Sequence, residues 1–404
     1  MNDFLKNIFR ALKFRNFRLF FIGQSISLIG TWMQSIAMSW LVYRMTGSAM
    51  LLGIVGFSSQ IPTFILSPFA GVFADRYNRH RIVIVTQTLA MIQAFILAGL
   101  ALTGKITVWE IIALGLFLGC VNAVDIPTRQ SFLIDMVEKK EMLGNAIALN
   151  SAMFNGARLI GPTVAGILVA LVGEGICFLL NAISFLAVIA SLLMMKLTKK
   201  EEKGHESHVM HELKEGVEYA FGSRPIRMIL FLLSIISMLG MSYVVLMPVF
   251  AADIHHGGPW TLGIFMAAIG VGALIATLYL ASRKTLPTLE KVIPVAATIF
   301  AGGVILFALS RVMWVSILLL VVTGFGFLAT TASSNTIIQT IVDDDKRGRV
   351  MSFYAMAFMG MAPIGSLLAG ALASKFGATD ALLFGGFSCL FANLVFYRLT
   401  NPRR

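Results

Sequence analysis

Residues 145–166 read NAIALNSAMFNGARLIGPTVAG and align without a gap to residues 349–370, RVMSFYAMAFMGMAPIGSLLAG, at an offset of 204. Gly156, Gly161 and Gly166 fall on Gly360, Gly365 and Gly370. Both stretches are apolar, and small residues along an apolar helix let two backbones approach closely in lipid. Earlier in each half, Leu52-Gly53-Ile54 is echoed by Leu262-Gly263-Ile264. A chain of 404 residues that repeats itself at this distance is built from two similar halves, an architecture that places a site between them.

Outward from the repeat, the whole chain is 57% hydrophobic and 13% charged. Soluble domains run near 45 to 50% apolar and about 25% charged, so lipid is the solvent this composition suits. Breaking the chain at charged and Gly/Pro-rich punctuation predicts twelve spans, near 17–43, 49–74, 82–103, 108–127, 143–172, 175–196, 226–250, 260–281, 292–310, 313–341, 349–373 and 380–398. Each is long enough to cross about 30 Å of hydrocarbon at 1.5 Å per residue. The fold class is therefore all-α and integral to the membrane, with twelve transmembrane helices in two pseudo-symmetric six-helix bundles. The bundles occupy residues 1–195 and 226–404, joined by a cytoplasmic linker over 196–225. Within that linker Val209, Leu213, Val217 and Phe221 recur every four residues between Glu212, Lys214, Glu215 and Glu218, the pattern of an amphipathic helix.

A net charge of +12 would suggest nucleic acid in a soluble protein. Here Arg44, Lys105, Arg311 and Lys375 lie in odd-numbered loops and Arg158 lies within a span. The rest of the 32 Lys and Arg residues all fall at the termini and in the even-numbered loops. The positive-inside rule then puts both termini in the cytoplasm of a multi-pass inner-membrane protein, and the charge reports topology. The first apolar segment is too long for a cleaved signal and lacks a small-residue cleavage site. Cys120, Cys177 and Cys389 each sit alone in an apolar run. His205, His208 and His211, and the pair His255-His256 with Asp253, lack a fixed ligand set, so no metal or cofactor is assigned.

Polar residues inside spans either bond between helices or line a wet cavity. Gln24, Ser27, Thr31 and Gln34 recur at helical spacing in the first span; Asn122, Asn150, Asn155, Asn335 and Gln339 add others. Arg158 is the basic residue nearest mid-depth. It either bonds carbonyls and amides to hold helices together or faces a cavity and attracts an anionic or electron-rich group. Trp32, Met33, Met38 and Trp40 suit an apolar substrate or ordinary packing. No Gly-x-Ser-x-Gly elbow, His-Glu-x-x-His pair or intramembrane carboxylate dyad points to an enzyme.

After the second span comes Gly71-Val-Phe-Ala-Asp75-Arg76-Tyr-Asn-Arg79-His-Arg81, which resembles the loop signature of the major facilitator superfamily, with Asn78 where the family usually has glycine. Gly161-Pro162-Thr-Val-Ala-Gly166 resembles the glycine-proline signature of that superfamily's exporters; Ala165 departs from it and Gly156 lies one position out of register. Asp125-Ile-Pro-Thr-Arg129-Gln130, and Ser334-Asn335 through Gln339 to Arg347-Gly348-Arg349, are similar to the enterobactin-exporter and drug or macrolide efflux subgroup. The resemblance covers essentially the whole chain. It implies a monomeric secondary transporter that exports an amphipathic or apolar small molecule, siderophore- or drug-like, by proton antiport and alternating access. Its alternatives are a lipid or lysolipid translocator and a non-transporting sensor or scaffold. In the superfamily the first, fourth, seventh and tenth spans surround the cavity, which would place Gln24, Gln34, Asn122 and Asn335 there. The resemblance also implies a cytoplasmic gate in which Asp75 faces the start of the eleventh span near Gly348 while Arg79 pairs with Asp125.

Overall fold

The computed structural model describes residues 9–137, 140–196, 218–281, 286–343 and 346–400, with backbone alone at 67–76, 140, 286–290 and 348. The expected amphipathic helix of the linker lies almost wholly outside the described residues. Among the described residues every regular element is helical. Twelve long helices follow the predicted spans: α1 (Arg15–Thr46), α2 (Ala49–Arg76), α3 (Arg79–Leu102), α4 (Val108–Phe132), α5 (Leu143–Val172), α6 (Glu174–Leu193), α7 (Arg224–Ile254), α8 (Pro259–Ala281), α9 (Leu286–Leu309), α10 (Met313–Ile341), α11 (347–376) and α12 (Ala378–Thr400). Eleven are long and apolar enough to cross a membrane. The other is α1, long enough at 32 residues but diluted by Gln24, Ser27, Thr31 and Gln34.

Local signals set the ends. Asn78 caps α3 by accepting from the Arg81 N–H at 3.1 Å. The α4 start is closed by Glu110, whose carboxylate accepts from the Thr107 N–H at 2.6 Å. This helix runs five residues past its predicted end, carrying Pro127 inside it. Within a bundle such a proline is tolerated because neighbouring helices and side chains re-satisfy the backbone that it frees. Trp109, Trp260 and Trp314 stand exposed in the first turns of α4, α8 and α10, where a membrane helix meets its interface. Leu278, Leu318 and Phe391 are more than 60% exposed, a surface that lipid and not water would cover.

The helices fall into two compact units, residues 1–41 with 58–205, and residues 42–57 with 206–404. In the first unit α3 packs chiefly on α6 and α4, and α5 on α6. In the second, α10 packs on α8 and α9, α12 on α9, and α7 on α11 and α12. The second unit also takes in the end of α1 and the start of α2. There Tyr43 Oη donates to Asp253 Oδ2 at 2.5 Å, and Gly53 and Gly370 cross so closely that a Cβ on either would meet the other's Cα at 3.0 Å.

The repeat survives at atomic scale. A Cβ on Gly161 of α5 would meet Ile29 O of α1 at 2.9 Å; one on Gly365 of α11 would meet Met238 O of α7 at 2.3 Å. The matched glycines thus seat the fifth helix of each half against the first helix of that half. Beyond the aligned stretch, Gly173 and Gly377, again 204 apart, turn α5 into α6 and α11 into α12 with φ of 81° and 95°. Their N–H groups donate to Val169 O and Ala373 O, at 3.1 and 2.9 Å.

The second unit carries features that no periodicity announces. α7 widens to π turns at Ile236–Gly240 and Phe250–Ile254, and α11 at Met356–Gly360. Two of these meet, because Ser237 Oγ donates to Phe358 O.

Candidate functional site

In the second unit, residues 332, 335, 336, 339 and 340 of α10 follow helical spacing and form one face. With Arg347 at the start of α11, that face lines an open cavity of about 550 Å³ whose walls are Ala332, Asn335, Thr336, Gln339, Thr340 and Arg347. Asn335 Oδ1 accepts from Gln339 Nε2, and Arg347 Nε donates to Gln339 O at 3.1 Å. Thr336 and Thr340 donate back to the carbonyls of Ala332 and Thr336 at 3.0 and 2.7 Å. Two of the expected cavity residues, Asn335 and Gln339, therefore share one cavity. Arg347 joins them although the sequence offered it only as part of a loop motif.

In the first unit, the Arg158 guanidinium lies 5.7 Å from the Trp32 ring centroid, and Phe154 meets the same indole edge-on at 5.8 Å. A cation over an indole face is attracted by its quadrupole, by roughly 0.5 to 2 kcal/mol. Arg158 is half-buried, and the neighbouring Asn155 is exposed and donates to Ser151 O. Thr31 is half-buried and donates to Ser27 O, and Asn122 is also half-buried. Gly156 has open space around its Cα, while Gly161, Pro162 and Gly166 are buried.

Gln34 turns inward. Its Nε2 donates to Gln93 Oε1 at 3.2 Å and its Oε1 accepts from Asn181 Nδ2 at 2.8 Å, which ties α1 to α3 and α6. Gln24 is 2% exposed, with an Oε1 that meets no donor among the described residues. These glutamines share the helical spacing of the first span but face the bundle interior. Spacing along one helix fixes which residues share a face, not what that face meets.

Asp125 is 3% exposed and accepts from Thr86 Oγ1 at 2.7 Å, Gln87 Nε2 at 2.9 Å and Arg129 Nε at 3.1 Å. The expected pairing of Asp125 with Arg79 is corrected: Arg129, four residues on in the same helix, holds this carboxylate, and Arg79 lies 3.7 Å from Asp135. An i,i+4 partner on α4 reaches the acid with less ordering than one from another helix. Arg81 is exposed, and Gly71, Asp75, Arg76 and Gly348 are described by their backbone alone.

At the other end of the second unit, Ser316 Oγ lies 3.1 Å from His255 Nε2 and donates to Ser310 Oγ at 2.8 Å. Burial, then the positive charges of Arg311 and His256, holds the His255 imidazole below its ordinary range.

A family model described as transmembrane secretion effector matches residues 7–404. The chain is 31% identical over 387 residues to the staphyloferrin A transporter of Staphylococcus aureus, covering 94% of this chain and 95% of that protein. It is 23% identical over 357 residues to the multidrug efflux pump Tap of Mycolicibacterium fortuitum, covering 85% of each. Its fold matches that of a bacterial homologue of the human lysosomal transporter Spinster, solved inward-facing and occupied, with a TM-score of 0.75 at 12% identity, over 96% of this chain and 97% of that one. A polytopic helical bundle with two repeated halves, matched along nearly its full length, belongs to the transmembrane secretion effector family of major facilitator superfamily transporters.

Proposed function

We propose that this transporter exports an amphipathic small molecule, siderophore- or drug-like, by proton antiport, acting as a monomer with both termini in the cytoplasm. The observation that carries the reading is the cavity beside α10. Its volume of about 550 Å³ falls in the range of small-molecule pockets, and the Asn335 and Gln339 amides on its wall are polar groups of the kind that orient a ligand. The Arg158, Trp32 and Phe154 cluster supports the same substrate class, offering an aromatic face beside a cation. The similarity to a staphyloferrin A transporter and to a multidrug efflux pump favours export of siderophore- or drug-like molecules over lipid translocation.

Within this reading Gly71, Asp75, Arg76, Arg79, Arg81, Asp125 and Gly348 serve the cytoplasmic gate, with Asp125 as its internal anchor. Residues 1–195 and 226–404 act as the two transporting bundles, and 196–225 as their linker.

The test is uptake of staphyloferrin A and of ethidium into everted membrane vesicles, with and without an acidic lumen. Accumulation of at least one compound, driven by the gradient, is expected. Uptake that ignores the gradient would remove proton coupling, and no uptake of either compound would remove the export reading.

A further inference from the structure

Where the chain turns from α7 into α8, the half-buried His255 imidazole is held against two other helices. Its ring meets Phe265 of α8 edge-on, with centroids 5.2 Å apart, and Nε2 lies 3.1 Å from Ser316 Oγ of α10. The hydrogen bonds beyond Ser316 fix which nitrogen carries the proton. Val312 O can only accept, so the Ser310 hydroxyl donates to it, at 3.3 Å. Ser310 Oγ in turn accepts from Ser316 at 2.8 Å, which leaves Ser316 Oγ to accept from an Nε2–H. Nδ1 of the neutral ring therefore holds the lone pair, and it makes no hydrogen bond among the described residues. A second proton goes to Nδ1.

The surroundings oppose that charge. Burial comes first, then the positive charges of Arg311 and His256. Three contacts pin Arg311: Nη1 donates to Ala308 O and Ser310 O at 2.8 and 3.2 Å, and Nη2 to Thr379 Oγ1 at 3.3 Å. Neither α8 nor α10 carries a charged residue. Asp253, in the last turn of α7, accepts from Tyr43 Oη of α1 at 2.5 Å. The remaining charges at this end are Arg44 at the end of α1, Lys375 at the end of α11 and Asp380 in the first turn of α12. The backbone beside the ring is irregular on both sides. Phe250–Ile254 form a π turn, and His256, alone among the described non-glycine residues, has a positive φ, 51°.

We propose that His255 is a proton-binding site at this end of the second unit, and that charging it at Nδ1 drives the imidazole from between Phe265 and Ser316 and loosens the α7–α8 turn. In the orientation proposed above this end faces outward, where an antiporter takes up its protons. That placement rests on the transport reading, whereas the proton site rests on the geometry of the turn.

The test uses full-length protein in nanodiscs with isotope-labelled histidines. The NMR signal of His255, assigned as the one lost in His255→Gln, should titrate with a midpoint below the ordinary value of about 6.5, and Arg311→Gln should raise that midpoint. Amide hydrogen exchange across residues 250–262 is then compared between wild type and His255→Gln at the same pH, so that the intrinsic pH dependence cancels. Glutamine keeps an N–H donor for Ser316 but gains no proton. At about pH 5 the wild type should exchange at least about threefold faster than the variant, and at about pH 7.5 the two should agree within about twofold. His255→Asn assigns the signal and serves the comparison should the glutamine variant not fold. A His255 signal that does not titrate between about pH 5 and about pH 7.5, a midpoint that Arg311→Gln leaves in place, or equal exchange in both proteins at both pH values would overturn the proposal. Neither readout involves transport, so failure here is distinguishable from failure of gradient-driven uptake in vesicles.

Discussion

Asp125 is buried in the first unit with three donors converging on it, two from α3 and one from its own helix. Removing one partner of a buried, hydrogen-bonded ion pair leaves the other uncompensated, which costs about 3 to 5 kcal/mol. Asp125→Ala should therefore lower the thermal unfolding midpoint in detergent. Removing Arg129 in addition should restore part of the loss, because no charge is then stranded. Additive losses from the two substitutions would count against the pair. Arg158 poses a different problem, because its cation already rests on Trp32. If it also attracts substrate, Arg158→Gln should reduce transport of anionic calcein far more than of cationic ethidium while the protein still folds. Equal loss of both would leave Arg158 a packing residue.

At the scale of helices, the repeat makes a paired prediction. Gly173 and Gly377 hold φ of 81° and 95° in equivalent turns, a region where any Cβ is strained. Gly173→Ala and Gly377→Ala should each cost about 1 kcal/mol or more, and by similar amounts. A large loss at one and none at the other would mean that the turns are not equivalent. The end of α7 makes a pH-dependent one. The folded state holds His255 below its ordinary pKa, so protons bind the unfolded chain more readily. Stability should therefore be full above about pH 6.5 and fall as the pH drops below it. His255→Gln should flatten that slope, as read from unfolding midpoints across pH; an unchanged slope would assign the effect to other groups.

Taken whole, the molecule was legible in its sequence wherever lipid imposed a rule. Span length follows from bilayer thickness, so the twelve helices were readable to within a few residues. The α4 boundary slipped because Pro127 stops a soluble helix more reliably than one inside a bundle. The glycine repeat pointed to the packing of Gly161 and Gly365 on matching helices. The π turns of α7 and α11 carry no periodic signature, since each inserts one residue into an otherwise unbroken apolar run. Side-chain partners were least readable. Gln34 and Asn335 are both amides in apolar helices, yet one bonds across three helices and the other lines a cavity. What separates them is the neighbouring helix, which sequence spacing does not specify. Arg129 was hidden by the attraction of a longer-range partner for Asp125, although its i,i+4 position was visible in the chain.

The central claim is that the cavity beside α10 carries the transported molecule, and flux through purified protein in proteoliposomes tests it most directly. A pH gradient of either sign would be imposed, and wild type compared with a variant carrying both Asn335→Ala and Gln339→Ala. These side chains stand on the exposed cavity face, so the variant should keep its unfolding midpoint. The account predicts gradient-driven flux of staphyloferrin A or of ethidium in the wild type and a loss of at least about tenfold in the variant. Equal flux in both proteins, or no flux in the wild type under either gradient, would contradict it.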